Sequence, residues 1–265
     1  MNYAANDGVR LAYEVNGDGE TLLFIQGLGY DRGGFGPLPH LLAEDFRVVV
    51  FDNRGVGDSD VPEGPYSVPQ LAEDAVAVLD AVGAETAYVL GVSLGGFVAQ
   101  ELALAHPERV RKLVLVSTAA GSVPPSYPMP QRGVDAFTQF PTMEREAGLR
   151  LMVENSLGDH GVQKRPELVE EIYRYRLEHA GPLAGWQAQA YAGATFDAYD
   201  RIPAIAAPTL VVHASADTVV DARNGALLAE RIPGARLHVV PDRGHLVMWE
   251  EGEMLAPVVR EFLES

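Results

Sequence analysis

Tyr88-Val-Leu-Gly-Val-Ser-Leu-Gly-Gly-Phe97 decides the architecture of this chain. The run from Ala87 to Leu90 is short and continuously apolar, the pattern of a buried strand. From Phe97 to Ala105 the residues follow a helical pattern. Between the two lies Gly91-Val92-Ser93-Leu94-Gly95, a G-x-S-x-G spacing. A serine on so sharp a strand-to-helix turn has strained backbone angles and tolerates no bulky neighbours two residues away. Gly91 and Gly95 remove those side chains. The turn lifts the Ser93 hydroxyl clear of the strand, at a helix N-terminus where free N–H groups and the dipole favour developing negative charge. A glycine-rich turn with an ordinary serine has the same local pattern, so the reading rests on partners elsewhere.

Working outward, Val9 to Val15 alternates apolar and polar residues and reads as an edge strand. Gly17-Asp-Gly19 is expected to turn it into a hairpin with the buried strand Thr21 to Ile25. That strand runs into the glycine-rich loop Gln26-Gly-Leu-Gly29. Leu38 to Glu44 reads as a helix, and Arg47 to Phe51 as a buried strand ending in Asp52-Asn-Arg-Gly-Val-Gly-Asp-Ser59. Val68 to Val82 has helical spacing, with Gly83 as its C-cap. Pro107 stops the helix after the elbow, and Lys112 to Ser117 is another strand. Buried strands alternating with helices describe a parallel sheet covered on both faces. Ligands of such sheets sit at the strand carboxyl ends, where Ser93 and the loops 26–29 and 52–59 all fall.

The pattern changes after Ala120. Gly121 to Pro130 is a proline-rich connector. Helical signals alone follow, over Ala147 to Asn155, Pro166 to His179 and Pro182 to Ala194. An all-helical insert at 121–199, within a core formed by 1–120 and 200–265, reads as a lid over the carboxyl ends. The α/β pattern resumes with a strand at Pro208 to His213, a helix near Asn224 to Arg231, a strand at Arg236 to Val240 and a last helix from about Val247 to Leu263.

Composition narrows the chemistry. The 265 residues carry a formal charge of −17, with a pI near 4.7. That charge argues against nucleic acid or an anionic membrane as partner. With no cysteine, disulfides, thiolate metal sites and a cysteine nucleophile are excluded. Met1 to Asp7 has neither a basic nor an apolar segment of a secretory signal, and no apolar run approaches a membrane span. A cytoplasmic location is expected. The acidic residues read as solvated surface and not as a metal site, and homo-oligomerisation is left open.

A serine hydroxyl needs a base, and the base an orienting acid. Of the seven histidines, His40 and His106 read as surface or helix-end residues. His160 and His179 fall in the helical insert, and His213 and His238 in strands. His245 lies in Asp242-Arg-Gly-His-Leu246, the loop after the last strand, again at the carboxyl end. Asp217 follows the strand ending at His213 and suits the acid. Asp221, four residues on, is the alternative, better placed to cap the next helix. The order Ser, Asp, His is that of α/β-hydrolases.

The chain resembles an α/β-hydrolase of the esterase, lactonase and cofactor-free haloperoxidase group, nearest to 3-oxoadipate enol-lactonase-like enzymes. Gln26-Gly-Leu-Gly29, Asp52 to Ser59, Gly91-Val-Ser-Leu-Gly-Gly96, His213-Ala-Ser-Ala-Asp217 and Gly244-His245 carry the resemblance. It implies Ser93 as nucleophile, His245 as base, Asp217 as its orienter, and the backbone N–H groups of Leu28 and Leu94 as an oxyanion hole. Many relatives have His-Gly where this chain has Gln26-Gly27. Gln26 is then expected to orient the loop or touch substrate, and Trp186 to line the substrate pocket. Arg54 is expected to pair with Asp52 or Asp58.

Serine at 93, in place of the aspartate of dehalogenases and epoxide hydrolases of this fold, points to acyl transfer. The expected activity is hydrolysis of a small-to-medium carboxylic ester or lactone without cofactor. A perhydrolase or haloperoxidase activity on the same residues is one alternative, and a receptor keeping the hydrolase fold is another. A carboxylate-bearing enol-lactone would require a cation, with Arg132, Arg145, Arg150, Arg174 and Arg176 as candidates.

Overall fold

The computed structural model describes residues 1–265. Eight strands form one sheet: β1 (Asn2–Asn6), β2 (Val9–Asn16), β3 (Thr21–Ile25), β4 (Arg47–Phe51), β5 (Ala87–Val92), β6 (Val110–Val116), β7 (Thr209–Ala214) and β8 (Arg236–Val240). Their order is β1-β2-β4-β3-β5-β6-β7-β8. All pairings from β4 through β8 are parallel, and β2 is antiparallel to both β1 and β4. β3, β5 and β7 are buried at every residue, which is why they read as unbroken apolar runs.

Helices cover both faces. α2 (Val68–Ala81), α3 (Leu94–Ala105) and α8 (Arg223–Arg231) share a cluster of 37 buried residues with one face. α1 (Leu38–Leu42) and α9 (Val247–Glu264) share a cluster of 24 with the other. A fully buried Val, Leu or Phe contributes roughly 1.5–3 kcal/mol of transfer free energy, so these two layers hold the sheet that carries the loops. The α2 ends follow local chemistry. Ser67 Oγ accepts from Gln70 N at its start, and Gly83 takes φ +70° just past its end.

The expected β2–β3 hairpin does not form. β4 lies between those strands, and Gly17 and Gly19 pack against the backbone of Ala43, Asp45 and Phe46, the segment entering β4. The chain crosses the end of β4 instead of folding back on itself. Nor is β2 the edge. The polar segment Asn2–Asn6, with only Ala4 buried, pairs outside it.

The helical insertion holds α4 (Gln131–Gln139), α5 (Arg145–Lys164), α6 (Pro166–His179) and α7 (Leu183–Ala194). α4, which the sequence reading did not single out, buries only Gly133 and Ala136. α5 runs past the expected Asn155 and kinks at Gly158, which takes φ +64° beside Ala216 O. Val153, Leu157, Leu168, Val169 and Ile172 form the insertion's own core, joined by Leu246 from the loop before α9. The ends of the insertion meet: Ala198 N donates to Ala120 O, Ser122 N donates to Phe196 O, and Gly121 bridges Asp197.

Candidate active site

Ser93 stands between β5 and α3 with φ 53° and ψ −118°. Strain of this kind persists only where the surroundings over-determine it. Here Ser93 N donates to Val116 O, and Thr118 Oγ1 donates to Ser93 O at 2.8 Å. A methyl at Gly91 would strike Gly95 O and Ala99, and one at Gly95 would strike Ile25 O. The two glycines therefore serve close approach, as their spacing implied.

Asp217 and His245 come together. Asp217 Oδ2 accepts from His245 Nδ1–H at 2.8 Å, and Asp217 Oδ1 accepts the N–H groups of Val219 and Val220 at 2.8 Å each. Both side chains are buried. With its proton on Nδ1, the imidazole keeps Nε2 as an acceptor. Asp221 is instead paired with its neighbour Arg223, which donates from Nε, Nη2 and the backbone.

His213 lies under the same carboxylate, with Nε2 3.6 Å from Asp217 Oδ2 and donating to Val220 O at 3.1 Å. Burial holds its pKa below the ordinary histidine value. A neutral His213 leaves His245 as the imidazole that answers the Asp217 charge. On the other side, Glu250 Oε1 accepts from Gly244 N at 2.7 Å, and His245 N donates to Ser156 O at 2.6 Å. Glu250 Oε2 is buried without a partner. Burial pushes the Glu250 carboxyl up to about 7, against the Gly244 N–H and the Arg243 and Arg165 cations.

The loop after β3 faces Ser93. The Leu28 N–H has no acceptor in the chain, and Leu94 opens α3, where the first N–H groups lack intrahelical partners. Gln26 opens this loop. It is 2 % exposed and lies outside the cavity lining, and its Oε1 accepts from Gly27 N at 2.7 Å. Its side chain orients the loop.

Arg54 pairs with neither Asp52 nor Asp58. It points inward to α2 and forks onto Asp74, Nε to Oδ2 and Nη2 to Oδ1 at 2.6 Å each. Arg32 takes the two loop aspartates instead. Sequence proximity misleads here because the 52–59 loop turns Arg54 away from its neighbours.

A cavity of about 520 Å³ opens at Ser93. Leu28 and Leu94 flank the serine, Phe137 and Trp186 form part of the wall from the insertion, and Val219 and Asn224 close the β7 side. Thirteen of its 21 lining residues are hydrophobic and none is charged. The five candidate arginines all lie outside the lining. Arg150 forks onto Glu170, Arg132 meets Asp159, and Arg176 donates to Gly29 O.

The alpha/beta hydrolase fold family model matches residues 20–252. The chain belongs to the α/β-hydrolase fold family. Among its relatives is a poly(3-hydroxyalkanoate) depolymerase of Ectopseudomonas oleovorans, 33% identical over 92% of this chain and 84% of that one. The solved enol-lactonase of Burkholderia xenovorans LB400 superposes with a TM-score of 0.88, at 26% identity and with both chains covered in full. A thermophilic esterase from Thermogutta terrifontis gives a TM-score of 0.86 at 28% identity, covering 99% of this chain and 97% of that one.

In this α/β hydrolase, the structure joins two of the three residues singled out from the sequence, Asp217 and His245, and adds Glu250, His213 and Gln189, which the sequence did not mark. Glu250 looks like an ordinary acid in the first turn of a helix, and His213 like the end of a strand. Gln189 lies in α7 and lines the cavity, and its Oε1 accepts from Gly29 N at 2.9 Å. It is the one polar residue on the buried face of α7, beside Gly185, Ala188 and Ala192, and that spacing is its only signal.

Proposed function

We propose that this α/β hydrolase is a serine hydrolase of neutral carboxylic esters or lactones with a small-to-medium acyl group. The observation that carries the reading is a strained Ser93 opening into a cavity whose lining has no charged side chain. An apolar wall with a few polar groups suits an uncharged acyl chain, and a substrate carboxylate placed there would lose water without gaining a cation. The depolymerase and the esterase among the relatives agree with an ester substrate. The enol-lactonase extends the class to lactones.

On this reading the steps are as follows. Ser93 Oγ attacks the acyl carbon while His245 Nε2 takes its proton, and Asp217 holds the imidazole and balances its charge. The carbonyl oxygen, now an anion, receives the N–H groups of Leu28 and Leu94. A donor of that kind is worth about 3 kcal/mol in the transition state. His245 returns the proton to the leaving alcohol oxygen, and the C–O bond breaks. Water then enters through the same base and releases the acid from Ser93. The insertion acts as a lid whose α4 and α7 complete the acyl wall.

The test is turnover of p-nitrophenyl esters from acetyl to dodecanoyl, beside a lactone set with and without a free carboxylate. Wild type hydrolyses the neutral substrates and Ser93→Ala does not. Equal activity in the two proteins, or a preference for the carboxylate-bearing lactone, would sink the reading. Hydrogen peroxide offered as acyl acceptor distinguishes hydrolysis from perhydrolysis.

A further inference from the structure

The loop that carries the Leu28 N–H is held by two different parts of the molecule. Up to Gly27 the sheet core holds it: Gln26 Oε1 accepts from Gly27 N, and Asn53 Nδ2 donates to Gln26 O at 3.0 Å. From Gly29 onward the insertion holds it. Gly29 N donates to Gln189 Oε1 at 2.9 Å, and Gly29 O accepts from Arg176 Nη1. Both polar atoms of the Gly29 backbone are thus satisfied by side chains from α6 and α7.

The insertion's grip has further contacts. The Arg176 guanidinium lies 3.9 Å over the Tyr30 ring, and the Trp186 edge fills the space where a Gly29 side chain would stand. Gln189 Nε2 donates to Arg54 O at 2.7 Å, tying the same side chain to the 52–59 loop. Gln189 is fully buried, and Arg176 is 6% exposed. A glutamine so placed makes one bond to each loop and spends no polar atom on the cavity. Leu28 is the single residue between the two sets of anchors.

We infer that Gln189 and Arg176 are positioning residues that set the Leu28 N–H donor, so that the oxyanion hole is complete only while the helical insertion is seated on the core. The inference rests on the serine-hydrolase reading above. Misplacing a catalytic group by about 1 Å can cost a factor near 10², so a loop released at Gly29 loses transition-state stabilisation before it loses substrate binding. The insertion then acts on the chemical step as well as on the shape of the pocket.

The experiment compares wild type, Gln189→Met, Arg176→Met and Gln189→Glu on p-nitrophenyl butanoate, with circular dichroism to establish folding. Each Met variant lowers kcat by about tenfold to a hundredfold and keeps KM within about twofold. Each also weakens inhibition by an alkyl trifluoromethyl ketone, whose tetrahedral serine adduct places an anion in the hole, in parallel with kcat. Gln189→Glu still offers an acceptor to Gly29 N but sets a carboxylate oxygen against Arg54 O, so its kcat also falls below wild type. Should one Met variant fail to fold, the other carries the test, since the two anchors are on different helices. A raised KM with unchanged kcat would mean that these side chains only shape the pocket, and would overturn the inference. Ser93→Ala separates the two levels. If it retains activity, the serine reading fails as well. If it is inactive while both Met variants match wild type, only the present inference fails.

Discussion

Asp217 gives one carboxylate oxygen to His245 Nδ1 at 2.8 Å and the other to the N–H groups of Val219 and Val220. The backbone bonds fix the carboxylate, and the carboxylate fixes the imidazole. Asp217→Asn keeps the shape but can turn an amide N–H toward Nδ1, favouring the tautomer with its proton on Nε2. That tautomer cannot take the Ser93 proton. The expected loss in kcat on a neutral ester is about three to four orders of magnitude, with KM nearly unchanged and wild-type circular dichroism. A loss below tenfold would remove Asp217 from the proposed role.

Glu250 predicts a pH dependence of stability. Its carboxyl is raised to about 7 in the folded chain, mainly by burial, while in the unfolded chain it titrates near the ordinary glutamate value. Between those two values the folded state holds the proton that the unfolded state releases. The contribution of Glu250 to stability therefore falls as pH rises through that window and is lowest above 7. Arg243, Arg165 and Glu251 are the charges around it. Glu250→Gln keeps an acceptor for Gly244 N and cannot ionise. Its melting temperature is expected to match wild type near pH 5 and exceed it near pH 8. A variant less stable than wild type at pH 8 would contradict the assignment.

The difference between what the sequence disclosed and what it hid has a physical basis. β3, β5 and β7 are buried at every residue, so composition alone marks them. Ser93, Asp217 and His245 each follow a strand, and a parallel sheet brings all such loops to one end. The β2–β3 hairpin failed because strand order is set by partners across the sheet, and β4 enters from later in the chain. Arg54 and Gln189 were hidden for a related reason. Each bonds to a residue that folding alone brings near, as when Gln189 reaches Gly29 across the seam between insertion and core.

The Arg54–Asp74 fork ties the 52–59 loop to α2, and both side chains are almost wholly buried. Asn6 Nδ2 donates to the same carboxylate at 2.8 Å, bringing in β1. Removing one partner leaves the other charge buried without compensation, which costs about 3–5 kcal/mol. Arg54→Met is expected to lose that much in urea unfolding. Arg54→Met with Asp74→Leu is expected to recover part of it, since the second change removes the stranded charge. An Arg54→Met protein as stable as wild type would show that water reaches Asp74.

Phe137 tests the acyl wall without disturbing the site that holds the charges. It sits on α4, half-buried, with its ring 6.0 Å from Trp186, and it lines the cavity at Ser93. It makes no polar contact with the 26–30 loop, so Phe137→Ala lengthens the cavity and leaves the hydrogen-bonded frame alone. Each further methylene that enters an apolar pocket gains about 0.8 kcal/mol, or roughly fourfold in kcat/KM. The ratio of kcat/KM for octanoyl over butanoyl esters is expected to rise by up to that factor for each methylene newly accommodated, with butanoyl turnover little changed. If both esters fall together and their ratio stays put, the acyl chain does not run toward α4, and the wall formed by Val219 and Asn224 becomes the one to vary.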